Sequence, residues 1–110
     1  MSFKVLPPIL GVAASLVLSA SAQAAQPMPA TVYIANFAFG PQVITVAPGA
    51  TVTWVNDDDD AHSVVSNNGG FHSAAMDTGD RFSFTFRAAG DYAYHCGLHP
   101  HMVAKIVVRP

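Results

Sequence analysis

The sequence predicts an all-β fold, a β-sandwich or barrel. Two observations carry this prediction: several segments alternate apolar and polar residues with a period of two, and turn signals recur roughly every eight to twelve residues. Beyond the N-terminal stretch, no segment shows helical periodicity of useful length. The first strand candidates are Thr31 to Phe39 and Gln42 to Ala47, rich in β-branched and aromatic residues, separated by Gly40-Pro41 and followed by the turn signal Pro48-Gly49. Ala50 to Asn56 alternates, with Val52 and Trp54 on one face and Thr51 and Thr53 on the other. Phe82, Phe84 and Phe86 alternate with Ser83, Thr85 and Arg87, and Asp91 to Cys96 repeats the pattern with Tyr92, Tyr94 and Cys96 in phase. In the last strand Met102, Ala104, Ile106 and Val108 share a parity opposite to that of Lys105 and Arg109. The stretch from Asp57 to Asp80 is the least regular, with room for a short helix or turn around Ala74 to Asp77.

A chain of 110 residues with 51% hydrophobic and 11% charged content has room for one domain. Its N-terminus reads as a separate segment. Lys4 precedes a mostly apolar stretch from Val5 to Ala20, and Ala22-Gln23-Ala24 has the small-x-small pattern of a signal peptidase site, so residues 1–24 are expected to be a secretory signal cleaved after Ala24. Pro7-Pro8 interrupts the run and leaves its core short of the roughly 20 residues a spanning helix needs, which argues against a membrane anchor. Residues 25–30, rich in Pro and Ala, form a tail, and residues 31–110 form the domain. The expected mature protein is exported, soluble and monomeric. Loss of Lys4 leaves four basic residues against seven acidic ones, a net charge of about −3, and nothing in this balance points to nucleic acid.

The single cysteine, Cys96, needs an explanation, because exported small domains usually pair their cysteines. It opens the run Cys96-Gly97-Leu98-His99-Pro100-His101-Met102, which sets a thiolate, an imidazole and a thioether at equal spacings straight after a strand. Soft thiolate and thioether donors with imidazole suit a metal that alternates between Cu(I) and Cu(II), and two His, one Cys and a long axial Met make a blue-copper set. His62 is the best candidate for the second imidazole, since it follows the Trp54 strand and shares its parity with Val64, which turns its ring inward. Zinc also binds Cys and His, but Met as a fourth ligand counts against it.

These segments resemble the cupredoxins, the small type 1 blue-copper family, in its amicyanin and pseudoazurin branch. The resemblance rests on Val52-Thr53-Trp54-Val55-Asn56 before His62, Phe71-His72-Ser73, Gly79-Asp80-Arg81-Phe82-Ser83-Phe84-Thr85-Phe86, and Gly90-Asp91-Tyr92-Ala93-Tyr94-His95-Cys96. The short Cys-x2-His-x2-Met loop is its most specific element and resembles that of amicyanins most. The resemblance implies a Greek-key β-sandwich or barrel of about seven to eight strands, with one copper ion held by His62, Cys96, His99 and axial Met102. It implies that His99 is the electron gate, with Leu98 and Pro100 in the surrounding apolar patch. It further implies a non-enzymatic periplasmic electron carrier between a donor dehydrogenase and an acceptor c-type cytochrome or oxidase, without a stable membrane anchor. The alternative is a periplasmic copper carrier or chaperone, motivated by the additional His72 and His101.

Two positions depart from the family pattern. Ser63 stands where many relatives have Asn tying the two ligand loops together, and its hydroxyl is expected to make a shorter version of that bond. His101 stands where amicyanin-like loops often carry Phe. His72 reads as a solvated loop imidazole, and His95, opposite in parity to Cys96, is expected to face outward. Asp57-Asp58-Asp59-Asp60 reads first as a hydrated loop; its functional reading is a patch that steers a basic partner.

Overall fold

Two four-stranded sheets stack face to face in the computed structural model, which describes residues 2–6, 8, 11 and 27–110. The strands are β1 (Ala30–Ala35), β2 (Ala38–Gly40), β3 (Val43–Val46), β4 (Ala50–Asn56), β5 (Val65–Ser66), β6 (Arg81–Phe86), β7 (Gly90–His95) and β8 (Val103–Val108). One sheet has the order β2-β1-β4-β6, with β1 and β4 parallel; the other has the order β3-β8-β7-β5, with β3 and β8 parallel. The chain therefore crosses repeatedly between the layers, as a Greek-key sandwich requires. No helix forms among the described residues, and so none is long and apolar enough to cross a membrane. The Ala22–Ala24 cleavage signal, most of the apolar stretch before it, and Ala25 and Gln26 of the tail lie outside the described residues.

Alternation places the core. Val32, Ile34, Val52, Trp54 and Phe86 from one sheet meet Tyr94, Ile106 and Val108 from the other, all essentially inaccessible. Burying each such large side chain contributes about 1.5–3 kcal/mol relative to exposure. On the opposite face of β4 the predicted polar residues pair across the strands: Thr51 Oγ1 lies 2.7 Å from Thr85 Oγ1, and Thr53 Oγ1 lies 2.7 Å from Ser83 Oγ. The Pro48-Gly49 signal forms a turn closed by the Ala50 N–H on the Ala47 carbonyl at 3.1 Å, with Gly49 at φ 91° where a side chain is disfavoured.

The single strand expected over Thr31 to Phe39 is two strands. Ala35 pairs with Ala38 across a two-residue hairpin turn whose central residues, Asn36 and Phe37, have φ of 52° and 57°. This is the left-handed geometry that matches strand twist in tight hairpins. Asn tolerates it; an aromatic residue does so only with compensation from elsewhere. The irregular region between β4 and β6 holds the two-residue β5 and two isolated bridges, His62 with Met76 and Val65 with His72, in place of a helix.

Trp54 and Tyr94 meet edge-on at 5.5 Å, and neither Trp54 Nε1 nor the Tyr94 hydroxyl has a hydrogen-bond partner among the described residues. Burial, opposed in part by the indole of Trp54, pushes the Tyr94 phenol up to about 12. The folded state therefore keeps this proton where the unfolded chain, at the ordinary 10.0, releases it. The associated stability is complete below pH 10 and is lost as pH rises toward 12, by up to about 3 kcal/mol. Tyr94→Phe is expected to flatten this alkaline decline at little cost at neutral pH, because the hydroxyl removed is unpaired; chemical denaturation across the alkaline range measures both.

Candidate metal site

Two strand ends converge on the site. β4 ends at Asn56, whose fully buried side chain knots the connection that follows: Nδ2 donates to the carbonyls of Asp60 and Met76, each at 2.9 Å, and Oδ1 accepts the Asp58 N–H at 3.0 Å. Its backbone joins the turn before β6, donating to the Asp80 carbonyl at 3.0 Å and accepting the Gly79 N–H at 2.7 Å. His62, exchanging two backbone hydrogen bonds with Met76, is thereby fixed with its ring fully buried. β7 ends one residue before Cys96, also fully buried. The loop after it closes on itself, because the Cys96 N–H donates to the Met102 carbonyl at 3.0 Å and the Met102 N–H donates to the His99 carbonyl at 2.9 Å.

Three donor atoms meet between these elements. His62 Nδ1 and His99 Nδ1 each lie 3.6 Å from Cys96 Sγ and 3.1 Å from one another. Within this triangle a point equidistant from all three atoms lies about 2.0 Å from each, a normal metal–imidazole distance and a little under the roughly 2.3 Å of a metal–thiolate bond. Met102, 6% exposed, packs in the core one residue before β8. Of the other histidines, His72 and His101 are exposed, and His95 is half-buried with Nδ1 at 2.6 Å from Asn67 Oδ1.

Two contributors are invisible to sequence reasoning. The first is Asp58, whose Oδ2 lies 2.8 Å from His62 Nε2 and 2.9 Å from the Phe37 backbone nitrogen. An ionised carboxylate only accepts, so His62 carries its proton on Nε2 and turns the lone pair of Nδ1 toward Cys96. The Phe37 N–H, and then the His62 imidazole, hold the Asp58 carboxyl below the ordinary carboxylate value against the opposing effect of burial. The second is Phe37, whose ring stands edge-on to both His62 and His99. A carboxylate four residues ahead of a candidate His was the only available signal, and the uniform acidic run concealed it. Asp57, Asp59, Asp60, Asp77 and Asp80 are exposed and form an acidic rim beside the site.

Ser63 joins the two ligand loops. Its N–H donates to Cys96 Sγ at 3.3 Å, and its Oγ accepts the Gly97 N–H at 2.8 Å. A Cβ on Gly97 would stand 2.9 Å from that Oγ, so the close approach requires glycine. Ser63→Ala is expected to lower stability by about 1 kcal/mol while leaving the donor triangle in place; thermal unfolding of the metal-free protein, followed by metal titration, checks both.

The sequence model of the cupredoxin-like domain matches residues 8–108. The chain belongs to the cupredoxin family. Amicyanin of Paracoccus denitrificans is 38% identical to this cupredoxin over 80 residues, 68% of the present chain and 61% of that protein, so the match spans less than two thirds of that relative's length. A solved purple cupredoxin from Nitrosopumilus maritimus superposes with a TM-score of 0.69 at 34% identity, covering 73% of this chain and 99% of its own. The copper-containing nitrite reductase of Thermus scotoductus SA-01 gives a TM-score of 0.71 at 30% identity, covering 82% of this chain but 24% of the reductase. A buried thiolate and two imidazoles, one buried and one half-buried, on a cupredoxin frame with Nδ1 atoms facing the sulfur, fit one copper ion. Copper is therefore the cofactor of this cupredoxin.

Proposed function

We propose that this cupredoxin is a periplasmic blue-copper electron carrier in which His62, Cys96, His99 and Met102 would hold the copper. The observation that carries this reading is the triangle of two Nδ1 atoms and one thiolate sulfur, drawn from two separate loops to within 4.8 Å of one another. Copper held there supplies one-electron cycling between Cu(II) and Cu(I). The protein contributes a rigid frame: Asn56 and Asp58 fix His62, the Cys96–Met102 backbone bonds fix the ligand loop, and the Ser63 N–H donates to the thiolate. A frame that holds one arrangement in both oxidation states keeps reorganisation small. Half-buried His99, flanked by exposed Leu98 and Pro100, is the point of electron entry and exit.

The partners in this reading are a donor dehydrogenase and an acceptor c-type cytochrome or oxidase, and residues 1–24 are the export signal of a domain spanning residues 31–110. Likeness to an amicyanin, 38% identical over 80 residues, supports a carrier. Titration of the mature protein with Cu(II), followed by visible and EPR spectroscopy, tests the reading. An intense thiolate-to-copper band with narrow hyperfine splitting, reversibly bleached by one electron, is expected. A colourless protein that binds Cu(I) tightly would favour the copper-carrier alternative.

A further inference from the structure

We propose that Phe37 is a positioning residue for His99, holding its imidazole against the metal triangle from the solvent side; the inference rests on reading His62, Cys96 and His99 as metal ligands. The two histidines are restrained unequally. His62 is fully buried and anchored through Nε2 to Asp58. His99 sits on the exposed ligand loop between exposed Leu98 and Pro100, and its Nε2 makes no hydrogen bond among the described residues. Packing must therefore orient its ring, and Phe37 supplies that packing with ring centroids 5.1 Å apart at 84°. The same ring meets His62 at 5.4 Å and 83°, so one aromatic side chain touches both imidazoles.

The backbone of Phe37 shows that this placement is enforced. A φ of 57° is unfavourable for a residue with a Cβ, by about 1–2 kcal/mol. The Phe37 N–H bond to Asp58 Oδ2 holds the turn in that geometry, and the same oxygen accepts from His62 Nε2. One carboxylate oxygen thus fixes His62 directly and His99 through Phe37. The β1–β2 hairpin, 25 residues ahead of His62, becomes a third wall of the site.

Phe37→Gly separates the ring from the turn, because glycine accepts a positive φ and retains the N–H that Asp58 needs. Phe37→Tyr restores an aromatic edge. NMR of the metal-free mature protein is expected to show His99 ring signals broadened in Phe37→Gly, with His62 signals still sharp and both recovered in Phe37→Tyr. Copper loss to a chelator is expected to be about two- to tenfold faster in Phe37→Gly, the worth of one edge-to-face pair. His99 signals and copper loss like those of the unaltered protein would overturn the proposal, and equal broadening of both rings would overturn its selectivity for His99. Failure of the copper reading would instead appear as absence of a thiolate–copper band in the unaltered protein, while the metal-free spectra still decide the role of Phe37.

Discussion

Cys96→Ala is expected to abolish the intense visible absorption of the copper-loaded protein and to weaken copper binding by more than about a hundredfold, the upper end of what loss of a supporting outer contact costs. The sulfur is the only soft member of the donor triangle and the only one that binds metal as an anion, and each imidazole nitrogen lies 3.6 Å from it. Removing it leaves two neutral imidazoles 3.1 Å apart, a pair with no charge to offset that of the metal. The fold is expected to survive, because the core rests on Trp54, Tyr94, Phe86 and their neighbours and loses one sulfur atom. Copper titration with a competing chelator, followed in the visible range, reads the colour and the affinity together, and circular dichroism confirms the sheets.

Asp58→Ala comes next in size. Carboxylates behind metal-bound imidazoles are typically worth about 10–100-fold in metal affinity, and a loss in that range is expected here. Two consequences separate this variant from a general loosening. The carboxylate charge beside His62 favours the more highly charged Cu(II), so its removal raises the reduction potential. Asp58→Asn, which keeps an acceptor but loses the charge, should shift the potential upward while retaining more of the affinity. Voltammetry of the three proteins at one pH is the measurement, and an unchanged potential in both variants would exclude electrostatic tuning by Asp58.

Parity made much of the site legible in the sequence. Trp54, Tyr94, Cys96, Met102, Ala104, Ile106 and Val108 are buried as their alternation requires, and half-buried His95 makes its contact with the loop residue Asn67. The break between β1 and β2 was not legible, because the turn at Asn36-Phe37 is held by Asp58, 21 residues later, and local pattern carries no trace of that bond. Asp58 itself was hidden among identical neighbours: four aspartates look equivalent in sequence, and only the fold turns one of them toward His62. β5 is two residues long, too short for any periodicity to register. The shortened tie expected of Ser63 between the ligand loops is present, its hydroxyl accepting the Gly97 N–H.

The acidic rim gives the molecule a direction. Of the seven side-chain carboxylates in the sequence, all aspartates, six lie in the two loops at the end of the donor triangle, where Arg81 offsets one of them, while Arg87 and Arg109 follow the opposite strand ends, where Asp91 offsets one of these. The protein is thus an electric dipole whose negative pole is the end that carries His99. A positively charged body draws that end forward and turns the rest away before any surface contact forms, over a range set by a Debye length of about 8 Å at physiological ionic strength. On a cationic electrode the same torque would face the copper end toward the conductor, and on an anionic one it would face it toward the solution.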